Sequence, residues 1–155
     1  MNPDFRKCTL AIIRNPAWIA FTWLGMTAGV ALLATPVRFT ANTITRPVAL
    51  DVGRVVFAAL NKAEFVALIL VLIIVRVSGR AKELWIPVLL LALILIMQAS
   101  WLIPELSART ELVIAGSEPP SSIAHAAYST LELIKLILLA FVGFRSMQLL
   151  MESNQ

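Results

Sequence analysis

The chain has 155 residues, of which 59% are hydrophobic and only 14% are charged, where an ordinary soluble domain carries roughly 25% charged residues. A water-soluble protein of this size needs polar surface to cover its core, so the composition excludes an ordinary soluble domain and indicates a lipid solvent. The net charge is +4, but the basic residues flank apolar runs and do not alternate with aromatic residues. This pattern favours the lipid bilayer as the partner and argues against nucleic acid.

The first 16 residues predict an interfacial N-terminal segment. Apolar and basic side chains are mixed in this segment, with Phe5, Leu10, Ile12 and Ile13 among Arg6, Lys7 and Arg14. We favour a short amphipathic stretch lying on the cytoplasmic lipid surface. An unstructured basic tail is the alternative interpretation.

Residues 17–150 predict an all-α membrane domain, a bundle of four transmembrane helices. Four apolar runs are long enough to cross a hydrocarbon core of about 30 Å, which takes about 20 helical residues. They cover residues 17–36, 55–75, 84–104 and 123–144. Pro36 and Pro104 are predicted to end the first and third spans, because proline removes a helix hydrogen bond. We expect the first run to be retained and not cleaved as a signal peptide, since Leu32 stands where a small residue should precede cleavage at Ala34.

The distribution of charge predicts the orientation. With four spans, one side of the membrane carries seven basic residues and the other carries four. The net charges of the two sides, acidic residues included, are +4 and zero. Because basic loops stay inside, we expect both termini to be cytoplasmic in a bacterial-type inner membrane.

Four charged residues fall inside the predicted spans: Lys62 and Glu64 in the second, Glu132 and Lys135 in the fourth. A charge in hydrocarbon costs roughly 3 kcal/mol on insertion scales, so such residues normally face the bundle interior and pair. The second and fourth spans run in the same direction, which places all four charges about 10–18 Å below the outer end. We therefore predict a buried polar site in the outer half of the bundle.

Polar residues extend this predicted site. On the fourth helix His125, Tyr128, Glu132 and Lys135 recur at a spacing that forms one stripe. Such a stripe suits a proton path or a cavity for a small ligand. The alternative is purely structural. In that case Glu132 and Lys135 pair with each other, and polar side chains hold the helices together, among them Asn61, Gln98 and Tyr128.

Metal sites have little support in the sequence. The chain has one cysteine, Cys8, which excludes a multi-thiolate site within one chain. Its one histidine, His125, is more typical of an interfacial hydrogen-bonding residue than of a metal ligand. No cofactor is indicated by the sequence, and none is assigned.

A pair of small residues stands in the first span. Gly25 and Gly29 have the GxxxG spacing that lets two helix backbones approach closely. We favour ordinary packing inside the bundle for this pair, with a seam between two copies of the chain as the alternative.

Several segments carry a resemblance to a known family: Trp23 with Gly25 to Phe39, Arg46-Pro47 through Gly53 to Phe57, Trp101-Leu102-Ile103-Pro104, and His125 with Tyr128. Over residues 20–145 their order resembles the transmembrane-protein-205-like family of small four-helix membrane proteins of unknown function. The resemblance implies a four-helix bundle and a loose association with metal or drug tolerance. This chain departs from the family pattern in the charges of its second and fourth helices and in a shorter loop before the fourth.

Two functional classes follow from these features. Because the loops hold no nucleophile–base pair, phosphate loop or carboxylate dyad, we expect a non-enzymatic protein. The favoured hypothesis is transport or handling of a proton, small ligand or metal at the buried site, which in so small a bundle requires a homo-oligomer. The alternative is an accessory subunit docked on other membrane subunits in a larger complex.

Overall fold

The computed structural model describes residues 15–78 and 82–152, and every regular element in this part of the chain is a helix. Four continuous helices are long and apolar enough to cross a membrane: α1 (Ala17–Thr40), α2 (Arg46–Ser78), α3 (Lys82–Ile114) and α4 (Ala124–Glu152). The chain is therefore a multi-pass membrane protein with four spans. The predicted interfacial segment lies, except for its last two residues, outside the described residues.

The four helices form an antiparallel bundle in which each packs against two neighbours. Helix α1 packs on α2 and α4, and α3 packs on the same two helices, so α2 and α4 stand on the diagonal. At each end of the bundle an ion pair connects two neighbouring helices. Arg54 of α2 binds Glu111 of α3 at 2.9 Å, and Arg145 of α4 binds Glu83 of α3 at 2.7 Å.

The prediction that prolines end the first and third spans is wrong. Helix α1 continues through Pro36 to Thr40, and α3 continues through Pro104 to Ile114. In both helices a wide π-helical turn precedes the proline, over Gly29–Ala34 and Gln98–Leu102. In a π turn each backbone N–H bonds to the carbonyl five residues earlier instead of four. This wider turn makes room for the proline ring, and the helix continues although proline has no N–H to donate. The hydroxyl of Thr35 also donates to the Val30 carbonyl oxygen at 2.8 Å.

One close helix contact in the bundle involves a glycine that the sequence analysis did not select. At Gly143 of α4 an added Cβ would lie only 2.6 Å from the Phe21 ring of α1. The favoured expectation for Gly25 and Gly29 is wrong, because nothing lies within 4 Å of an added Cβ at either position. Gly25 is exposed and Gly29 is half-buried.

We expect Gly143→Val to destabilise the bundle by about 1–3 kcal/mol, because the new side chain must displace the Phe21 ring and separate α1 from α4. The thermal unfolding midpoint in mild detergent measures the loss. Gly25→Val is the matched control and should leave the midpoint close to that of the wild type. Equal losses for the two variants would contradict the described contact.

A buried charged cluster at the centre of the bundle

A layer of polar side chains interrupts the apolar interior. On one side lies a large apolar cluster that includes Leu68, Leu91, Leu95 and Leu139. On the other side, towards the α3–α4 loop, lies a small apolar cluster whose buried members are Leu102, Ala124 and Tyr128. The polar residues occupy the same helix faces as these apolar neighbours. In α2, for example, Leu60, Glu64 and Leu68 follow one another at four-residue intervals.

Glu64 is the best-satisfied residue of this layer. Its carboxylate is fully buried, with 0% of the residue exposed. Oxygen Oε1 accepts hydrogen bonds from the Trp23 indole at 3.0 Å and the Thr27 hydroxyl at 2.8 Å. The Lys135 ammonium lies 2.7 Å from Oε1 and 2.9 Å from Oε2. The charge of Glu64 is therefore compensated by three donors from two other helices.

Lys135 joins α2, α3 and α4 across the diagonal of the bundle. Besides Glu64, its buried ammonium donates to Oε1 of Gln98 at 3.0 Å and to Oε1 of Glu132 at 2.9 Å. The Gln98 amide nitrogen in turn donates to the same oxygen of Glu132 at 3.0 Å. Gln98 is the first residue of the π turn in α3, and π turns are frequent at functional sites. We call Glu64, Gln98, Glu132 and Lys135 the charged cluster.

Glu132 differs from Glu64 in having one unsatisfied oxygen. The residue is 5% exposed, and its Oε2 has no hydrogen-bond partner among the described residues. The same is true of the buried Nδ2 of Asn61 on α2. Tyr128, one helical turn before Glu132, is buried on the same face of α4. The charged cluster is therefore saturated around Glu64 and incomplete around Glu132.

Six of the predicted site residues are buried in this region: Asn61, Glu64, Gln98, Tyr128, Glu132 and Lys135. Lys62 and His125 are not, because both side chains are exposed on the outer surface of the bundle. A helix rotates by about 100° per residue, so Lys62, two positions before Glu64, points away from it. On α4 the inner face passes through Ala124 and Tyr128, which leaves His125 outside.

The charged cluster lies close to the midpoint of the apolar part of α2. Glu64 is ten residues from Arg54 and twelve from Arg76, the cations at the two ends of the apolar part of α2. Trp23 and Thr27 were missed by the sequence analysis. Their one signal is a spacing of four residues, which places an indole N–H and a hydroxyl on one face within an apolar run.

The searches of family models, curated proteins and solved structures found no match to the chain. The resemblance to the transmembrane-protein-205-like family therefore stays a prediction.

The chemistry open to the charged cluster follows from its composition. Two carboxylates and one ammonium leave one excess negative charge when all three are ionised, and a charge without compensation is costly in a closed interior. The Lys135 ammonium lies between the carboxylates, where a metal ion would have to bind. Among the described residues no three His, Cys, Asp or Glu side chains come together as a metal site. A single proton is the smallest species that would neutralise the charged cluster.

Proposed function

We propose that this chain is a non-enzymatic membrane protein that binds and releases a proton at Glu132. The observation that carries the proposal is the buried, unpaired Oε2 of Glu132 beside the saturated pair of Glu64 and Lys135. A proton bound at Oε2 removes the excess charge without disturbing the bonds that Lys135 and Gln98 make to Oε1. Glu64 then serves as the permanent counter-ion of Lys135.

The arrangement of apolar residues supports proton access from the α3–α4 loop side. On that side the buried layer consists of Leu102, Ala124 and Tyr128, with Phe57 packed against it. The apolar cluster on the opposite side is larger, and the nearest buried polar residues beyond it, Asn15 and Ser146, lie at the far end of the bundle. Tyr128 has a hydroxyl that can carry a proton and stands between Glu132 and the loop. Asn61 adds a second polar group on this side of the charged cluster, and its buried Nδ2 has no hydrogen-bond partner among the described residues.

We expect Glu132→Gln to fold normally and to lose proton exchange, because glutamine keeps the bonds made by Oε1 but cannot take up a proton. The experiment measures, by potentiometric titration, the protons that the purified protein binds in mild detergent over the pH range in which the bundle stays folded. Wild-type protein should bind one proton more than Glu132→Gln. Lys82→Gln, a charge removed from an exposed site, is the control and should behave as the wild type. Undiminished proton uptake in Glu132→Gln would overturn the proposal and leave the subunit role as the better hypothesis.

We also propose that the chain sits in a bacterial-type inner membrane with both termini in the cytoplasm. The support is the difference in net charge between the two sides. Single cysteines at Ser78 and Ser107, in a Cys8→Ser background, should react with an impermeant thiol reagent from opposite sides of the membrane. Labelling of both from one side would contradict this topology.

A further inference from the structure

Arg38, near the end of helix α1, has a guanidinium group that no carboxylate of the described residues neutralises. The residue is half-buried, and its buried Nε has no hydrogen-bond partner in the described part of the chain. Two aromatic rings lie beside the guanidinium: its Cζ atom is 5.1 Å from the ring centroid of Phe39 and 5.9 Å from that of Phe57 on α2. An aromatic ring attracts a cation but carries no net charge, so the positive charge of Arg38 is left uncompensated.

Gly53 of α2 provides the space in which this guanidinium lies. An added Cβ at this buried glycine would overlap the Cζ atom and both terminal nitrogens of Arg38. Glycine inside a helix is less favourable than alanine, and the close approach of the guanidinium gives a physical reason for it here. We call Arg38, Phe39, Gly53 and Phe57 the Arg38 site.

The neighbouring arginine shows how a cation at this end of the bundle is compensated by anions of the chain itself. Arg54 directly follows Gly53 and binds Asp51 at 2.6 Å and Glu111 at 2.9 Å. Both of these carboxylates are therefore already engaged. Arg38 lies against the same part of α2 and has no equivalent pair among the described residues, which favours an anion supplied from outside them.

We propose that the Arg38 site binds a phosphate group, of the kind that an anionic phospholipid or free inorganic phosphate carries. A guanidinium presents its N–H groups as a planar fork that matches the oxygens of phosphate. The contacts with Gly53 and the two rings hold this fork in position before the anion arrives. A lipid is the favoured source, because Phe39 is 49% exposed and can contact an acyl chain beside the bound phosphate. This proposal is independent of proton binding at Glu132.

Native mass spectrometry of the full chain, released from detergent with added phosphatidylglycerol, tests the proposal. The wild type should bind this lipid saturably, and Arg38→Gln should weaken the binding by about tenfold or more, because it removes charge-assisted hydrogen bonds. Gly53→Ala should also weaken it, although every charge remains, because the new methyl group displaces the guanidinium. The matched control is Arg46→Gln, which removes an exposed arginine at the start of α2 and should bind the lipid as the wild type does.

Inorganic phosphate distinguishes the two sources of the phosphate group. We expect added phosphate to leave phosphatidylglycerol bound, because the lipid gains further contacts through its acyl chains. Displacement of the lipid would identify free phosphate as the ligand of the same site.

Three results would overturn the proposal, for variants that circular dichroism shows to be folded. Equal losses in Arg38→Gln and Arg46→Gln would reveal only a general attraction between a basic surface and an anionic lipid. A Gly53→Ala chain that binds phosphatidylglycerol as tightly as the wild type would show that the position of the guanidinium is unimportant. A wild-type chain that binds neither phosphatidylglycerol nor inorganic phosphate would be equally decisive against it.

Discussion

Replacing Lys135 with methionine is expected to lower the free energy of unfolding by about 3–5 kcal/mol, because it leaves two buried carboxylates without a counter-charge. Lys135 is fully buried and is the one group that contacts Glu64, Gln98 and Glu132 together. Its loss also breaks the connection between α2 and α4 across the diagonal of the bundle. Reversible unfolding in mixed micelles measures the loss.

The matched control is Lys62→Met, which removes the other lysine of the membrane-spanning region. It should change the unfolding free energy by no more than about 0.5 kcal/mol, because Lys62 is exposed and lies outside the charged cluster. Adding Glu132→Gln to Lys135→Met should recover part of the loss, because only Glu64 then stays charged and it keeps the donors Trp23 and Thr27. Equal effects of the two lysine substitutions would contradict the placement of Lys135 in the interior.

The two carboxylates are expected to respond very differently to neutralisation. Glu64→Gln should cost about 2–3 kcal/mol, because it weakens charge-assisted bonds from Trp23, Thr27 and Lys135. Glu132→Gln should cost less than about 1 kcal/mol, since an amide oxygen can still accept the two bonds now made to Oε1. The same unfolding assay measures both values.

The difference in unfolding free energy between Glu64→Gln and Glu132→Gln distinguishes the proposed function from a purely structural ion network. A network of equivalent charges predicts similar losses at the two positions. The opposite order, with Glu132→Gln the more damaging change, would show that Glu132 carries a stabilising charge and would count against a proton at this residue.

The sequence predicted the number and order of the spans because lipid imposes length and hydropathy on each one. The Glu132–Lys135 pair was part of the structural alternative, since residues three apart on a helix are neighbours. Lys62 was misplaced because depth along a helix is easily read from sequence, whereas the direction of a side chain depends on which neighbours the helix acquires. Two positions separate Lys62 from Glu64, and that difference is enough to move a side chain from interior to surface.

Two further features depend on tertiary structure and leave little trace in the sequence. The helices pass through Pro36 and Pro104 because π turns accommodate them, and the turn in α3 begins at Gln98. Tryptophan in a membrane protein is usually an interfacial residue, so Trp23 in the sequence does not by itself indicate a buried site. In the structure Trp23 is buried and donates its indole N–H to Glu64.

Infrared spectroscopy of the protein in lipid bilayers tests the proton site most directly, because a protonated carboxyl group has a C=O stretch distinct from that of a carboxylate. Spectra recorded over the pH range in which the bundle stays folded should contain a protonated carboxyl that loses its proton as the pH rises. This band should be absent in Glu132→Gln and retained in Lys62→Met. A band that survives in Glu132→Gln, or wild-type spectra without any protonated buried carboxyl, would contradict a proton site at Glu132.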